Sequence, residues 1–204
     1  MSSIYGEFLP YMEMVMDRVG GELEAFDRSR FEETGEHAFE HFTMRIKSDE
    51  SMREKCRRKK LPETPHSALR EVQDSIGIRI VTAFRDDIQL FIDLIRSMKG
   101  VEIVEEVDYI RHAKSNGYRS YHMILLVTSS YPDVDGNTEG KYYVEVQLRT
   151  IAMDSWASLE HKMSYKKDVR NKELIISELK RCADELAACD VSMQTIRNMI
   201  NESN

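Results

Sequence analysis

The sequence predicts an α/β (α+β) domain: a mixed sheet of about five strands flanked by helices, with helical extensions at both ends. Three observations carry that expectation. Short β-rich or alternating runs recur between segments of helical periodicity. Both ends show apolar residues at helical spacing over long stretches. The 204 residues, 41% of them hydrophobic, are enough for one domain with a normal core.

Residues 8–27 place Phe8, Tyr11, Met12, Val15, Met16, Val19, Leu23 and Phe26 on one helical face, interrupted only by Gly20-Gly21. A second, short and polar helix is expected over 30–41. Phe42, Met44 and Ile46 alternate with polar neighbours, which predicts a strand, and Ser48 then caps a helix. Leu61-Pro-Glu-Thr-Pro65 reads as a loop. Residues 76–84 form a β-rich run, and Asp86 is expected to cap a helix ending near Gly100. Strands follow at 101–107, 119–128 and 141–149, the last two joined as a hairpin through a polar loop holding Asp135-Gly136. Thr150 is expected to cap a helix reaching about Lys167, before a final helix from 172 to 202.

Composition narrows the function. The net charge is −7, too acidic for bulk duplex-DNA binding, which needs many cations spread over a surface. Three cysteines (Cys56, Cys182, Cys189) have no metal-type spacing and read as reduced thiols of a cytoplasmic protein. The start of the chain lacks a basic region followed by an apolar core, so no signal peptide is expected, and no apolar run approaches bilayer length. Against this acidic background, residues 45–60 gather eight Lys or Arg and three acids. Such focusing points to an anion. Lys47, Ser51, Lys55 and Arg58 recur at helical spacing and would form one ridge. A solvated basic helix face is the commoner fate of such a run, so the rest of the chain must supply the case for a ligand.

It does so in two places. The strand at 141–149 turns Tyr142, Val144, Val146 and Leu148 to one side and Tyr143, Glu145, Gln147 and Arg149 to the other. A half-exposed strand can look the same. Here the polar side is expected to lie near the strand that follows Asp74 and carries Arg79. Asp74 and Glu145 on neighbouring strands, beside a cationic helix, suit one Mg²⁺ shared with a polyphosphate. The second place is residues 108–122, where Gly117 permits a tight turn that would present Tyr118 at a loop tip for stacking on a base. Lys114 and His122 could meet phosphate or sugar oxygens.

Taken in order, these pieces resemble the synthetase domain of the RelA/SpoT family, in its stand-alone small alarmone synthetase form. The matching segments are Arg45-Ile-Lys-Ser48, the Ser51/Lys55/Arg58 helix, Asp74-Ser-Ile-Gly-Ile-Arg79 and Asp108-Tyr-Ile110. They continue with Lys114-Ser-Asn-Gly-Tyr-Arg-Ser-Tyr-His122, Glu145-Val-Gln-Leu-Arg-Thr150 and Ala152-Met-Asp-Ser-Trp-Ala-Ser-Leu-Glu-His161. The resemblance implies a nucleotidyltransferase-like domain at 41–168, N-terminal helices at 1–40 and a C-terminal helix at 169–204. It also implies transfer of the β,γ-pyrophosphate of ATP to the 3′-hydroxyl of GDP or GTP, with an alarmone of the stringent response as product. Arg45 and Arg79 would sandwich adenine, and Lys47, Ser51, Lys55 and Arg58 would hold the donor phosphates. Asp74 and Glu145 would bind Mg²⁺, Glu145 also helping to deprotonate the hydroxyl. Tyr118 would stack on guanine, with Lys114, His122, Gln147 and Asp154 around the acceptor. No His-Asp dipeptide of the family's hydrolase domain occurs, so hydrolysis is not expected.

Three departures from the family pattern stand out. Met44 replaces a frequent glycine, Val107 replaces a frequent basic residue, and residues 21–41 are acidic where tetramers activated by an alarmone tend to be basic. The apolar stripes of the two terminal helices predict a homo-oligomer, a tetramer by resemblance, and the acidic stretch predicts little alarmone activation. Two other functions compete: a toxin-type relative acting on the tRNA 3′ end or on adenine nucleotides, and a catalytically silent RNA-binding or scaffolding protein. RNA is disfavoured by the acidic remainder of the chain, and silence by the presence of both Asp74 and Glu145. No DNA or membrane partner is expected.

Overall fold

Five alternating segments pair into one sheet. In the computed structural model, which describes residues 3–164 and 171–203, the strands are β1 (His41–Ile46), β2 (Ile76–Thr82), β3 (Val101–Asp108), β4 (Tyr121–Thr128) and β5 (Lys141–Thr150). Their order is β1-β2-β5-β4-β3. Only β2 and β5 run parallel; the other neighbours are antiparallel, so the sheet is mixed as expected. The helices are α1 (Leu9–Thr34), α2 (Asp49–Lys59), α3 (Arg85–Ser97), α4 (Ile151–Ser164) and α5 (Lys172–Asn201).

The period of two sorts side chains by face. Ile76, Ile78 and Ile80 of β2, Met123, Leu125 and Val127 of β4, and Tyr142, Val144, Val146 and Leu148 of β5 are all buried. They form the core with Met12, Val15, Val19 and Leu23 of α1 and Ile88, Phe91, Ile92 and Ile95 of α3. Burying such a set drives folding, at roughly 1.5–3 kcal/mol for each large side chain. The alternate residues face the cleft described below.

Four local expectations need correction. The second helix over 30–41 does not form: α1 runs on to Thr34 and stops at Gly35, whose left-handed backbone (φ 75°) returns its N–H to the Phe31 carbonyl. Beyond it, Asp27 accepts the Ala38 N–H at 2.6 Å and pairs with His37 at 2.8 Å, which folds the chain back onto α1. Gly20-Gly21 does not break the helix either. A Cβ on Gly20 would lie 2.0 Å from the Met44 sulfur, so Gly20 is the hole that Met44 fills. Asp86 is not a cap: α3 begins at Arg85, and the Asp86 N–H is taken by Gln194 of α5 at 3.2 Å. Finally, β4 starts at Tyr121 because Arg119 is drawn away to Ala183 and Asp184 on α5.

Two expected caps are present. Ser48 accepts the Ser51 N–H, and Thr150 accepts that of Met153 at 3.3 Å. The expected end of α4 near Lys167, and with it the boundary at 168, lies outside the described residues. The last helix packs inward along Leu179, Ala183, Leu186 and Asp190, with Trp156 donating to the Leu179 carbonyl at 2.8 Å. Other apolar residues of α5 are uncovered among the described residues: Leu174, Met193, Ile196 and Ile200 are 49–59% exposed.

Candidate active site

Register decides which polar residues meet. Arg45, Gly77 and Glu145 sit side by side across β1, β2 and β5, and Thr43, Arg79, Gln147 and His122 form the next row across to β4. Because β5 is the middle strand, Glu145 lies at mid-sheet, not at a sheet edge. These rows floor a cleft of about 240 Å³ lined by Thr43, Arg45, Lys47, Asp74, Gly77, Ile78, Arg79, Glu145 and Gln147. Gly77 leaves the floor open between Arg45 and Glu145, since no side chain rises there.

At one end stands Asp74, two residues before β2. A π-helical turn at Ser67–Glu71 leads into it, a geometry frequent at functional sites. Arg70 of that turn binds Asp133 at 2.7 Å and the Lys141 carbonyl at 2.8 Å, which ties the Asp74 segment to the β4–β5 hairpin. Asp74 Oδ2 accepts from Lys47 at 2.6 Å and also from Lys55. Burial works to raise the Asp74 pKa, but the two lysines overcome it and hold the carboxyl below its ordinary value.

At the other end is a closed hydrogen-bond circuit. Glu145 Oε1 meets His122 Nδ1 at 3.2 Å, and Oε2 accepts from Gln147 at 2.9 Å. His122 Nε2 meets the Tyr118 hydroxyl at 2.8 Å. Arg149 donates to that hydroxyl, to Gln147 and to Asp154. Burial raises the Glu145 pKa and Asp74 adds to it, yet the His122 and Gln147 contacts leave this carboxyl, too, below its ordinary value. Asp154 also faces Arg79 at 3.6 Å. The Arg79 pKa is lowered, first by burial and then by the like charge of Arg149. An anion entering between these guanidiniums would relieve that repulsion.

Tyr118 does not project from a loop tip. Its ring is half-buried and packs edge-on against Tyr109, His122 and Trp156, with the Lys114 ammonium 4.8 Å from its centroid. Gly117 is required all the same: its φ is 93°, and a Cβ there would meet Ala183 of α5 at 2.5 Å. Nor do the four α2-associated residues form one ridge. Lys47 precedes the helix, Ser51 bonds to Ser48 at 2.9 Å, and Arg58 is exposed with no ion pair among the described residues. Ser51 and Arg58 do not line the cleft. Sequence reasoning gave no role to Arg149, Tyr109 or Trp156. For Arg149 a signal existed, since it continues the polar alternation Tyr143, Glu145, Gln147.

Four buried side-chain polar atoms lack a partner among the described residues, and three belong to this region: Asp74 Oδ1, Arg79 Nε and Arg149 Nε. Folded proteins pair nearly all such atoms, so a cluster of orphans marks a place where a ligand completes the set. Asp74 Oδ1 and the Glu145 carboxylate fit a hard divalent cation that fills its shell with phosphate and water oxygens. No group of three His, Cys, Asp or Glu side chains arranged for a metal occurs among the described residues. The site therefore offers two carboxylates, several cations and a ringed tyrosine, the parts needed to hold a nucleoside polyphosphate beside a second nucleotide.

Known proteins are similar to this chain in sequence and fold. A family model described as a region found in RelA/SpoT proteins matches residues 44–170. The chain is 34% identical over 177 residues to GTP pyrophosphokinase YjbM of Bacillus subtilis (strain 168), covering 86% of this chain and 81% of that protein. It is 35% identical over 169 residues to GTP pyrophosphokinase YwaC of the same organism, covering 82% and 78%. Among solved structures, small alarmone synthetase 1 from Bacillus subtilis bound to its product pppGpp aligns with a TM-score of 0.80 at 32% identity over 95% of both chains. The same enzyme bound to AMPCPP aligns at 0.74, with 31% identity over 96% of both chains.

Proposed function

This chain belongs to the RelA/SpoT family, and we propose from that premise that it transfers the β,γ-pyrophosphate of ATP to the 3′-hydroxyl of GDP or GTP. The products are AMP and ppGpp or pppGpp. One observation supports the reading: Asp74 and Glu145 line one cleft, the first among phosphate-type cations, the second in the circuit that holds Tyr118.

In this reading ATP lies along β1 and β2, its adenine between Arg45 and Arg79. Lys47 and Lys55 share one carboxylate oxygen. Each can exchange that oxygen for phosphate when ATP enters, which frees Asp74 to hold Mg²⁺ with Glu145. When bound, the cation neutralises phosphate charge. Ser51 and Arg58 extend the phosphate-binding surface along α2. The acceptor base stacks on Tyr118, with Lys114, His122, Gln147 and Asp154 around it. Glu145, held ionised by His122 and Gln147, takes the proton of the attacking 3′-hydroxyl. Transfer of this kind depends mainly on in-line positioning and charge neutralisation, which a pre-set floor supplies.

The test is to incubate purified protein with labelled ATP and Mg²⁺, offering GDP, GTP, AMP or tRNA separately. AMP release and a new guanosine product with GDP or GTP alone support the reading; transfer of the pyrophosphate label to tRNA or to AMP offered as acceptor overturns it. The acidic remainder of the chain disfavours tRNA.

The uncovered apolar residues of α5, with Leu159 and Met163 of α4, support a homo-oligomer, and its form as a tetramer rests on the family resemblance. Light scattering tests it, and a monomer at micromolar concentration contradicts it. No described helix is long and apolar enough to cross a membrane, and the nucleotide substrates assign the enzyme to the cytoplasm. Glu22, Glu32, Glu33 and Glu36 on or just beyond α1 repel a pentaphosphate, so added pppGpp is expected to change the initial rate by less than about twofold.

A further inference from the structure

Arg149 has no task in the reading above, yet it is the most connected side chain of the acceptor end. It lies near the end of β5, is 5% exposed, and touches three residues assigned to the acceptor. An arginine offers only donors and an ionised carboxylate only acceptors, so the bonds that run from Arg149 to Glu145 take one direction. Its Nη2 donates to the Tyr118 hydroxyl at 2.8 Å, so the tyrosine proton turns onward to His122 Nε2, 2.8 Å away. His122 then carries its own proton on Nδ1 and donates it to Glu145 Oε1 at 3.2 Å. The second arm starts from the same Nη2, which donates to Gln147 Oε1 at 3.1 Å. With its oxygen so engaged, Gln147 presents its amide nitrogen to Glu145 Oε2 at 2.9 Å. Both arms leave one guanidinium and converge on one carboxylate. Asp154 supplies the counter-charge, accepting from Arg149 Nη1 at 2.9 Å.

We propose that Arg149 is a positioning residue of the acceptor pocket: it fixes the Tyr118 ring and the Gln147 amide before the nucleotide arrives, and acts on the acceptor only through them. The inference rests on the reading that a guanine nucleotide stacks on Tyr118. A ring already held at its hydroxyl loses little freedom on stacking, and pre-organisation of this kind raises affinity without a new contact. Without Arg149 the Tyr118 hydroxyl and the Gln147 oxygen lose the donor that anchors them, and both side chains are held only from the Glu145 side. Arg79, assigned to adenine, stands 3.6 Å from Asp154 and 3.5 Å from Gln147, so the donor should weaken too, but several-fold less than the acceptor.

The chain contains its own reporter. Trp156 is the only tryptophan, and its ring lies edge-on to Tyr118 with centroids 6.4 Å apart. GDP and an α,β-methylene analogue of ATP would each be titrated against Trp156 fluorescence or by calorimetry. The proteins are the wild type, Arg149→Met, Tyr118→Phe and the double variant. Arg149→Met is expected to weaken GDP about tenfold and the ATP analogue by no more than about threefold. Tyr118→Phe keeps the ring but cuts one arm, so it should weaken GDP less than Arg149→Met does. The double variant should bind GDP no worse than Arg149→Met alone, because the hydroxyl has nothing left to transmit. A role confined to folding would weaken both nucleotides alike and add to Tyr118→Phe, and either result overturns the proposal. Should Arg149→Met fail to fold, Arg149→Lys keeps the charge but loses the fork and serves the same cycle; unchanged GDP affinity there overturns it as well. GDP binding that depends on Tyr118 but not on Arg149 sinks this inference alone. Wild-type protein that does not bind GDP sinks the acceptor reading and the inference with it.

Discussion

The two ends of the cleft hold their charges in opposite ways. At the donor end, Lys47 and Lys55 converge on a single carboxylate oxygen, while Arg45 and Arg58 stand exposed. The partner that the two lysines share is a carboxylate oxygen, which a phosphate oxygen can replace. At the acceptor end, Glu145, His122, Tyr118, Arg149 and Gln147 close on one another in a circuit with a single direction. One end is built to yield to a ligand, the other to receive one already shaped. A polyphosphate is met by charge, which tolerates movement, whereas a base and a hydroxyl must be met at fixed angles. Low dielectric strengthens the buried circuit and makes any break in it costly.

The contrast can be broken most severely at its two carboxylates. Both Asp74→Ala and Glu145→Ala should lower kcat by at least about three decades, since uncompensated phosphate charge is a barrier of ~4 kcal/mol or more. They should differ in binding. Asp74→Ala leaves two lysines free for phosphate, so the KM for ATP should not rise. Glu145→Ala strands the donors of His122 and Gln147, so the KM for the acceptor should. Steady-state kinetics with each substrate varied in turn checks both, and near-normal turnover in Glu145→Ala contradicts the site assignment.

A smaller effect sharpens the division between the pockets. Tyr118→Ala should raise the acceptor KM about tenfold with little change for ATP, stacking being worth roughly 1–3 kcal/mol per base. Arg79→Ala should do the reverse. Equal effects on both substrates would mean that the two ends have been exchanged or are not separate. Smallest of all, Arg58→Ala should raise the ATP KM about two- to threefold at low salt and have no effect in roughly 0.5 M salt, because an exposed charge is screened there. An effect that survives salt would place Arg58 inside the cleft.

Of the end proposed for the donor the sequence showed the cations and Asp74 but not which of them line the cleft, and of the end proposed for the acceptor it showed less, for the same physical reason that separates them. Charge is local: a run of cations announces itself wherever the chain folds, and Asp74 followed by an alternating β-run carries its own register. The circuit is not local. Tyr118 looked like a loop-tip residue because nothing nearby in sequence shows that Arg149, 31 residues on, accepts the task of holding its hydroxyl. The same blindness explains the misjudged helix ends. Gln194 caps α3 from 108 residues away, and Gly20 admits a methionine from a strand that the helix had not yet met in the chain. Alternation found the two faces of β5, and with them Glu145, Gln147 and Arg149. It could not say that Arg149 turns inward as a hub while Tyr143, on the same face, stays apart from the cleft.

The central claim is that an intact pyrophosphate passes to one particular hydroxyl. Purified protein should be given ATP labelled separately in its β- and γ-phosphates, with GDP in one series and 3′-deoxy-GDP in the other. The account predicts that both labels enter the same GDP-derived product, that AMP forms in equal amount, and that 3′-deoxy-GDP yields neither. Entry of the γ-label alone with release of ADP, or transfer to the 3′-deoxy nucleotide, would contradict it.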